Sequence, residues 1–122
     1  MELHESQEMY LETILRLSQN NKIVRAIDIA KELNFSRPSV SIALKALKEF
    51  GYLEVLQDQS IVLTSKGKNT AESVYMKHQY LTKLLEKFGV SPETAENDAC
   101  KIEHIISEET FECIKNFLSE EK

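Results

Sequence analysis

The chain has 122 residues, of which 42% are hydrophobic and 29% are charged, a composition ordinary for one compact chain or two small subdomains. No apolar run approaches the roughly 20 residues that span a bilayer, and the N-terminus is acidic rather than signal-like, so we expect a cytoplasmic protein with no membrane partner. The two cysteines exclude a disulfide framework and, in a reducing compartment, are expected to be thiols or metal ligands.

The predicted elements of the N-terminal half are three helices and a hairpin. An amphipathic helix is expected over residues 5–18, a short helix over 26–33, and a third helix that begins after its cap Ser36 and ends at Gly51. The two β-rich runs that follow, 52–56 and 60–64, are joined by polar residues and predict a hairpin.

The C-terminal half is predicted to be helical throughout. A long helix is expected from Thr64 or Ser65 to about Phe88, a second from Ser91-Pro92 to about Ile106, and a third after Ser107. The chain contains only three glycines and two prolines, so few sharp turns are available. The predicted fold class is therefore mainly α.

The net charge of −5 is distributed unevenly along these elements. Residues 1–21 carry a net charge of −3 and residues 84–122 carry −6, whereas residues 22–83 carry +4. A run of like charges is often only a solvated face. The basic excess lies only in the middle of the chain, which is also typical of a protein in which that part alone binds nucleic-acid phosphates.

Helix, short turn, capped helix and hairpin, in that order, are typical of the winged helix-turn-helix. The polar residues at the start of the capped helix lie opposite its predicted buried stripe, where a recognition helix enters the major groove. Arg37 can form bidentate hydrogen bonds to guanine, and the hydroxyls can reach bases or phosphates. The candidate DNA-binding residues are Ser36, Arg37, Pro38, Ser39, Ser41, Lys45, Lys48 and Lys66. The alternatives are a purely capping Ser36, solvating lysines, and a winged helix that binds protein.

A second group of side chains carries donor atoms that suit a divalent metal: Met9, Glu12, His78, Cys100, Glu103 and His104. Cys100, Glu103 and His104 stand at i, i+3 and i+4, so on a helix they project from one face. Each residue also has an ordinary interpretation: Met9 as packing, Glu12 as a solvated charge, His78 as a core histidine and Cys100 as a small buried hydrophobe. Spacing alone leaves both interpretations open.

The stretches VLTSKGK (62–68) and IEHIIS (102–107), behind the predicted winged helix, resemble the diphtheria-toxin-repressor and manganese-transport-regulator family of metal-dependent repressors. The resemblance covers nearly the whole chain in order and spacing. It implies a winged-helix DNA-binding domain over 1–64, a helical metal-binding and dimerisation domain over 65–122, and no SH3-like domain. It also implies a homodimer that binds double-stranded operator DNA when loaded with a divalent metal.

Matched position by position, four residues of this chain correspond to the primary effector site of the iron-responsive members: Met9, Cys100, Glu103 and His104. The manganese-responsive members have Asp at the position of Met9 and Glu at that of Cys100. The resemblance therefore implies a primary site of the iron type.

Glu12 and His78 match ligands of a neighbouring second site, where the resemblance implies that Glu103 bridges. Two positions depart from the family pattern. Glu96 falls where iron-type members place an ancillary histidine, and Thr82 falls where a family carboxylate stands. These departures leave the composition of the second site open.

Thioether and thiolate ligands favour softer metals than the oxygen and imidazole sets that suit Mn²⁺. We predict Fe²⁺ as the effector, with Mn²⁺, Co²⁺, Ni²⁺ and Zn²⁺ as other ions that fit. The predicted function is a metal-dependent transcriptional regulator, which the resemblance implies is a repressor of metal-uptake genes. The alternatives are a manganese-responsive member and a metal-independent interaction module. No enzyme activity and no small organic substrate are expected. The sequence has almost no glycine-rich loop, and the candidate metal ligands leave no separate residue to act as a general base.

Overall fold

The computed structural model describes residues 5–20 and 23–120. These residues form six helices and one two-stranded sheet, which confirms the mainly α prediction. The elements are α1 (Glu5–Gln19), α2 (Ala26–Leu33), α3 (Arg37–Glu49), β1 (Leu53–Val55), β2 (Ile61–Leu63), α4 (Ser65–Lys87), α5 (Pro92–Ile102) and α6 (Glu108–Glu120). The chain divides into two compact units whose boundary lies between Glu72 and Ser73, inside α4. The predicted domain boundary after residue 64 stays a prediction.

The core of the N-terminal unit is formed by apolar side chains that α1, α2, α3 and β1 contribute at their helical or strand period. The most completely buried are Leu11, Ile14, Ile29, Val40, Leu47 and Leu53. Burial of side chains of this size is the main favourable contribution to folding, at about 1.5–3 kcal/mol each. The burial of Leu11 and Ile14 on one side of α1 agrees with the amphipathic helix predicted there.

The helix-turn-helix is defined by local capping. Asn34 ends α2 in the left-handed conformation, at φ 57°, and its N–H donates to the Ala30 carbonyl. The Ser36 hydroxyl oxygen then accepts the Ser39 N–H at 3.3 Å, so Ser36 is the N-cap of α3 as predicted. These two residues orient α3 after a connection of only a few residues.

The hairpin is shorter than predicted, with Leu53 opposite Leu63 and Val55 opposite Ile61 in an antiparallel register. It is shortened because Asp58, in its connection, binds Ser60. The Asp58 carboxylate accepts the Ser60 hydroxyl at 2.6 Å and the Ser60 N–H at 3.0 Å. These hydrogen bonds lower the pKa of the Asp58 carboxyl below its usual value.

The start of α4 packs closely on the end of α3 and the start of β1. The Thr64 hydroxyl donates to the Gly51 carbonyl at 2.6 Å. A Cβ at position 67 would lie 1.8 Å from the Tyr52 carbonyl oxygen, so only glycine fits there. The tight approach brings the N-terminal turn of α4 into the winged-helix unit.

The C-terminal unit contains the rest of α4 together with α5 and α6. Tyr80 and Phe111 meet edge to face, with ring centroids 5.8 Å apart, and Lys77 Nζ lies 2.7 Å from the Glu108 carboxylate. Helix α5 ends at Ile102, four residues before the predicted end. It ends early because the backbone from Glu103 enters a turn that leads to Ser107, whose hydroxyl oxygen accepts the Thr110 N–H and begins α6.

Among the helices described here, none has both the length and the apolar content that crossing a membrane requires.

Candidate functional sites

A buried carboxylate lies between two histidines in the C-terminal unit. Glu103 is 1% exposed. Its Oε2 lies 2.8 Å from His78 Nδ1, and its Oε1 lies 3.3 Å from His104 Nε2. A buried carboxylate is costly unless charge and hydrogen bonds compensate it, and both imidazoles are placed to do so.

Helix geometry brings these groups together from two elements. Glu103 follows the last residue of α5 but keeps a right-handed helical backbone, with φ −59° and ψ −23°, and its N–H donates to the Ala99 carbonyl. The spacing predicted for Cys100, Glu103 and His104 therefore persists although the regular helix has ended. His78 comes from α4, 25 residues earlier in the chain.

The hydrogen bond to Glu103 determines which nitrogen His78 offers to a ligand. With Nδ1 protonated and donating to the carboxylate, the acceptor lone pair of the His78 ring is on Nε2. A carboxylate on the far nitrogen is the usual support of a metal-binding histidine. The core-histidine interpretation also accounts for the burial of His78, since Glu103 satisfies its ring nitrogen.

The other two candidate ligands lie on α1, in the N-terminal unit. Met9 is half-buried and Glu12 is 4% exposed, so the interpretation of Glu12 as a solvated charge is wrong. The two residues are one helical turn apart and share a face. Thioether, thiolate, imidazole and carboxylate donors together fit a divalent transition metal.

Three further residues named from the sequence have simple surroundings. The Thr82 hydroxyl donates to the His78 carbonyl at 2.8 Å, within α4. Glu96 is exposed on α5. Cys113 is exposed on α6 and forms no disulfide with the half-buried Cys100.

The exposed surface of α3 carries most of the residues predicted to bind DNA. All eight predicted residues are solvent-exposed, and four line one groove: Arg37, Ser41, Lys45 and Lys48. The groove has a volume of about 580 Å³ and is completed by the hairpin residues Val55, Gln59 and Ile61. A basic groove between a recognition helix and a wing suits a polyanionic ligand.

Ser36 and Lys66 are already engaged within the winged-helix unit. The Ser36 hydroxyl donates to Ser39 Oγ at 2.9 Å while it caps α3. The Lys66 ammonium donates to the Phe50 carbonyl at 3.0 Å and lies 4.2 Å from the centroid of the Tyr52 ring. Lys66 thus holds the start of α4, and its contact with DNA stays a prediction.

Arg25 belongs to the same groove and was not predicted from the sequence. Its Nε donates to the Asp58 carbonyl at 3.3 Å, and its guanidinium lies 3.7 Å from the Asp58 carboxylate. The two residues are 33 positions apart, so neither local spacing nor charge pattern indicates their contact. Only the basic character of residue 25, next to a predicted helix, hinted at a role.

Two family models match this chain and together cover almost all of it. Residues 2–61 match the N-terminal DNA-binding domain of the iron-dependent repressors, and residues 64–122 match their metal-binding and dimerisation domain. The matches agree with the order of winged helix and helical unit in the fold.

Individual relatives agree with the family models. The chain is 35% identical over 108 residues to the transcriptional regulator MntR of Escherichia coli O157:H7, covering 88% of this chain and 70% of MntR. It is 35% identical over 109 residues to the iron-dependent repressor IdeR of Mycobacterium tuberculosis, covering 88% of this chain and 47% of IdeR. These relatives are transcriptional regulators rather than enzymes.

Solved structures show the same fold. The structure of the manganese regulator SloR matches with a TM-score of 0.82 at 27% identity and covers 98% of this chain. This chain spans about half of SloR, 55%, as it does of IdeR. From the family models, the relatives and the fold, the chain belongs to the iron-dependent repressor family of metal-dependent, DNA-binding transcriptional regulators.

Proposed function

We propose that this chain is a homodimeric repressor that binds operator DNA when it holds a divalent metal, with Fe²⁺ as the effector, and that it acts on metal-uptake genes in the cytoplasm. The observation that carries the proposal is the Glu103 carboxylate buried between His78 and His104. In a winged-helix protein with an exposed basic groove, such a cluster favours a metal-sensing role over a purely structural role in the core.

In this cluster the Glu103 carboxylate is buried against two imidazoles, and a buried carboxylate is costly unless it is paired. Two imidazoles and one carboxylate are also donor groups that ligate a divalent metal, when the imidazoles are neutral and the carboxylate is ionised. The donor set therefore fits the proposed metal.

The proposed ligands are Met9, Glu12, His78, Cys100, Glu103 and His104. When bound, a divalent metal would supply a positive centre for thioether, thiolate, imidazole and carboxylate donors. For each residue we propose the ligand role that the sequence resemblance implied. The DNA-binding domain is proposed to span 1–64 and the dimerisation domain 65–122.

The switch requires that the DNA-binding conformation hold metal more tightly than the alternatives. A typical coupling between two sites is about 1–3 kcal/mol, so metal should raise DNA affinity by roughly 5- to 150-fold. Arg37, Ser41, Lys45 and Lys48 would contact the DNA, and two-fold symmetry would place two recognition helices in half-sites about 34 Å apart or a multiple of that spacing.

The test is anaerobic DNA binding followed by fluorescence anisotropy. A duplex is first selected from a randomised pool with protein and Fe²⁺, and its affinity is then measured with Fe²⁺, with Mn²⁺ and with chelator. We expect tight binding with metal, weak binding with chelator, and twice the chain mass of 14.0 kDa by light scattering. Equal affinity with and without chelator would contradict the switch and favour a metal-independent interaction module.

The identity of the metal has a separate test, because a solved structure named for manganese and a relative named for iron both resemble this chain. The soft donors Met9 and Cys100 support Fe²⁺. The double variant Met9→Asp, Cys100→Glu should therefore shift activation towards Mn²⁺. Full activation of the unaltered chain by Mn²⁺ alone would favour the manganese-responsive alternative.

A further inference from the structure

We infer that Ile42 determines sequence specificity by packing against the 5-methyl group of a thymine in the major groove. The inference rests on the proposed DNA binding and adds a residue that neither the resemblance nor the groove at Arg37 indicated. Its basis is the position and exposure of one apolar side chain on α3.

Ile42 lies at the centre of the solvent-facing side of α3. The buried stripe of this helix consists of Val40, Leu44 and Leu47, which are at most 7% exposed. At 3.6 residues per turn, position 42 falls directly opposite that stripe. Ile42 is 72% exposed, so the predicted recognition helix presents a large hydrocarbon side chain to solvent.

Helix formation does not account for isoleucine at this position. In an exposed helix a β-branched residue is less favourable than alanine, lysine or arginine. An isoleucine side chain that stays in water also adds no hydrophobic stabilisation. Single exposed hydrophobic residues are common on proteins. This one, however, occupies the place on the unit that enters the groove when a helix of this kind binds DNA.

The neighbours of Ile42 suit contact with a base edge. Pro38 and Ser39 lie one turn before it, and Lys45 and Ala46 lie one turn after it. Pro38 and Ala46 are small or apolar, Lys45 is positive, and none of the four is acidic. The small or apolar neighbours allow a methyl group to approach Ile42 closely, and the positive Lys45 attracts the DNA phosphates.

Thymine is the base that such a residue selects. An isoleucine side chain neither donates nor accepts hydrogen bonds, so the polar edges of guanine, adenine and cytosine offer it no favourable contact. Among the four bases, only thymine presents a methyl group in the major groove. Arg37, on the flank of the same helix, remains available for guanine.

The experiment uses metal-loaded protein and the duplex selected from a randomised pool. Each thymine of that duplex is replaced in turn by uracil, which removes only the methyl group. Binding is measured for the unaltered chain, for Ile42→Ala and for the control Ile23→Ala. Ile23 is 60% exposed in the connection between α1 and α2, outside the recognition helix.

We expect one thymine in each half-site to be sensitive. Replacement by uracil at that position should weaken binding of the unaltered chain about 4-fold per half-site, the value of one buried methyl group. Ile42→Ala should bind the thymine and uracil duplexes equally, whereas Ile23→Ala should discriminate like the unaltered chain. Because the site is exposed and alanine favours helix, Ile42→Ala should unfold at the same temperature or higher.

Three results would overturn the inference. Uracil scans that match between the unaltered chain and Ile42→Ala would show that Ile42 contacts no methyl group. A change in oligomeric mass on Ile42→Ala would assign the side chain to a protein contact. If no duplex is selected from the pool, the proposed DNA binding itself fails and the inference fails with it, an outcome distinct from unchanged uracil scans.

Discussion

The basic groove of the N-terminal unit and the Glu103 cluster of the C-terminal unit keep their charged side chains in opposite environments. Around α3, Arg37, Lys45 and Lys48 are exposed and line an open groove. In the C-terminal unit, Glu103 is 1% exposed and contacts His78 and His104 within 3.3 Å. The basic groove presents charge to solvent, and the Glu103 cluster removes charge from solvent.

The difference follows from the size of the ligand that each unit suits. A polyanion such as DNA brings many charges to a broad surface, where hydrated lysines and arginines cost little until phosphate replaces their water and releases counterions. A single cation is held only where several donors converge, and convergence of this kind requires burial and precise support. Four predictions test the contrast, beginning with the largest expected effect.

Glu103→Gln should have the largest effect, since it removes the charge of the buried cluster while keeping its shape. We expect metal affinity to fall by about 100-fold, the upper value for disrupting the support of metal ligands. Metal-dependent DNA binding should fall with it. Calorimetric titration with Mn²⁺ and Fe²⁺ measures the loss, and Glu109→Gln, exposed on α6, is the control. Unchanged metal affinity in Glu103→Gln would remove the cluster from the proposed site.

Gly67→Ala should destabilise the scaffold of the basic unit. Its Cβ would lie 1.8 Å from the Tyr52 carbonyl oxygen, so the start of α4 must shift away from β1. We expect a loss of about 3 kcal/mol in the free energy of unfolding, the upper part of the range for overpacking. Thermal unfolding of the metal-free protein measures it.

The matched control for Gly67→Ala is Gly51→Ala. Gly51 has φ +83° and open space around its Cβ position, so alanine there carries only backbone strain of about 1–2 kcal/mol. Equal losses in the two variants would show that the close approach of α4 to Tyr52 is not what requires glycine at position 67.

Arg37→Ala and Lys48→Ala should separate base contacts from phosphate contacts in the groove. Arg37→Ala should weaken binding of the preferred duplex by about 1–3 kcal/mol and relax the preference at one base pair. Lys48→Ala should weaken binding to all DNA sequences alike and reduce the slope of the salt dependence by about 1, the value of one phosphate contact. Neither should change metal affinity, and Lys31→Ala, exposed on α2, is the control. Identical salt slopes for all three would contradict the assignment of Lys48.

Asp58→Asn should have the smallest effect, a small loss of stability. Asp58 is an acidic residue in the N-terminal unit, beside the basic groove. Hydrogen bonds from Ser60 lower the pKa of the folded-state Asp58 below its unfolded value. Asp58 therefore stabilises the fold above its unfolded pKa, and this contribution is lost as the pH falls through the folded pKa. The melting temperature of Asp58→Asn should lie slightly below that of the unaltered chain at pH 7, and the gap should close in strong acid. Glu54→Gln, exposed on β1, is the control; a gap that persists in acid would contradict the ionic origin.

Much of the fold was predictable because its elements are encoded locally. The stripe Val40, Leu44 and Leu47, the cap Ser36 and the β-rich runs each act within one helical turn or one strand, and the structure contains the corresponding elements. The errors occurred where a distant or following residue intervenes. Helix α5 ends at Ile102 rather than Ile106 because Ser107 begins the next helix.

The candidate sites divide in the same way. The sequence by itself determined the basic surface of α3 and the spacing of Cys100, Glu103 and His104, since both follow from the 3.6-residue period. Only the tertiary structure decided that Glu103 is buried against His78 from another helix, that Lys66 binds the Phe50 carbonyl, and that Arg25 contacts Asp58. These pairs join residues 16 to 33 positions apart, and their contacts depend on how whole elements pack, which no local pattern contains.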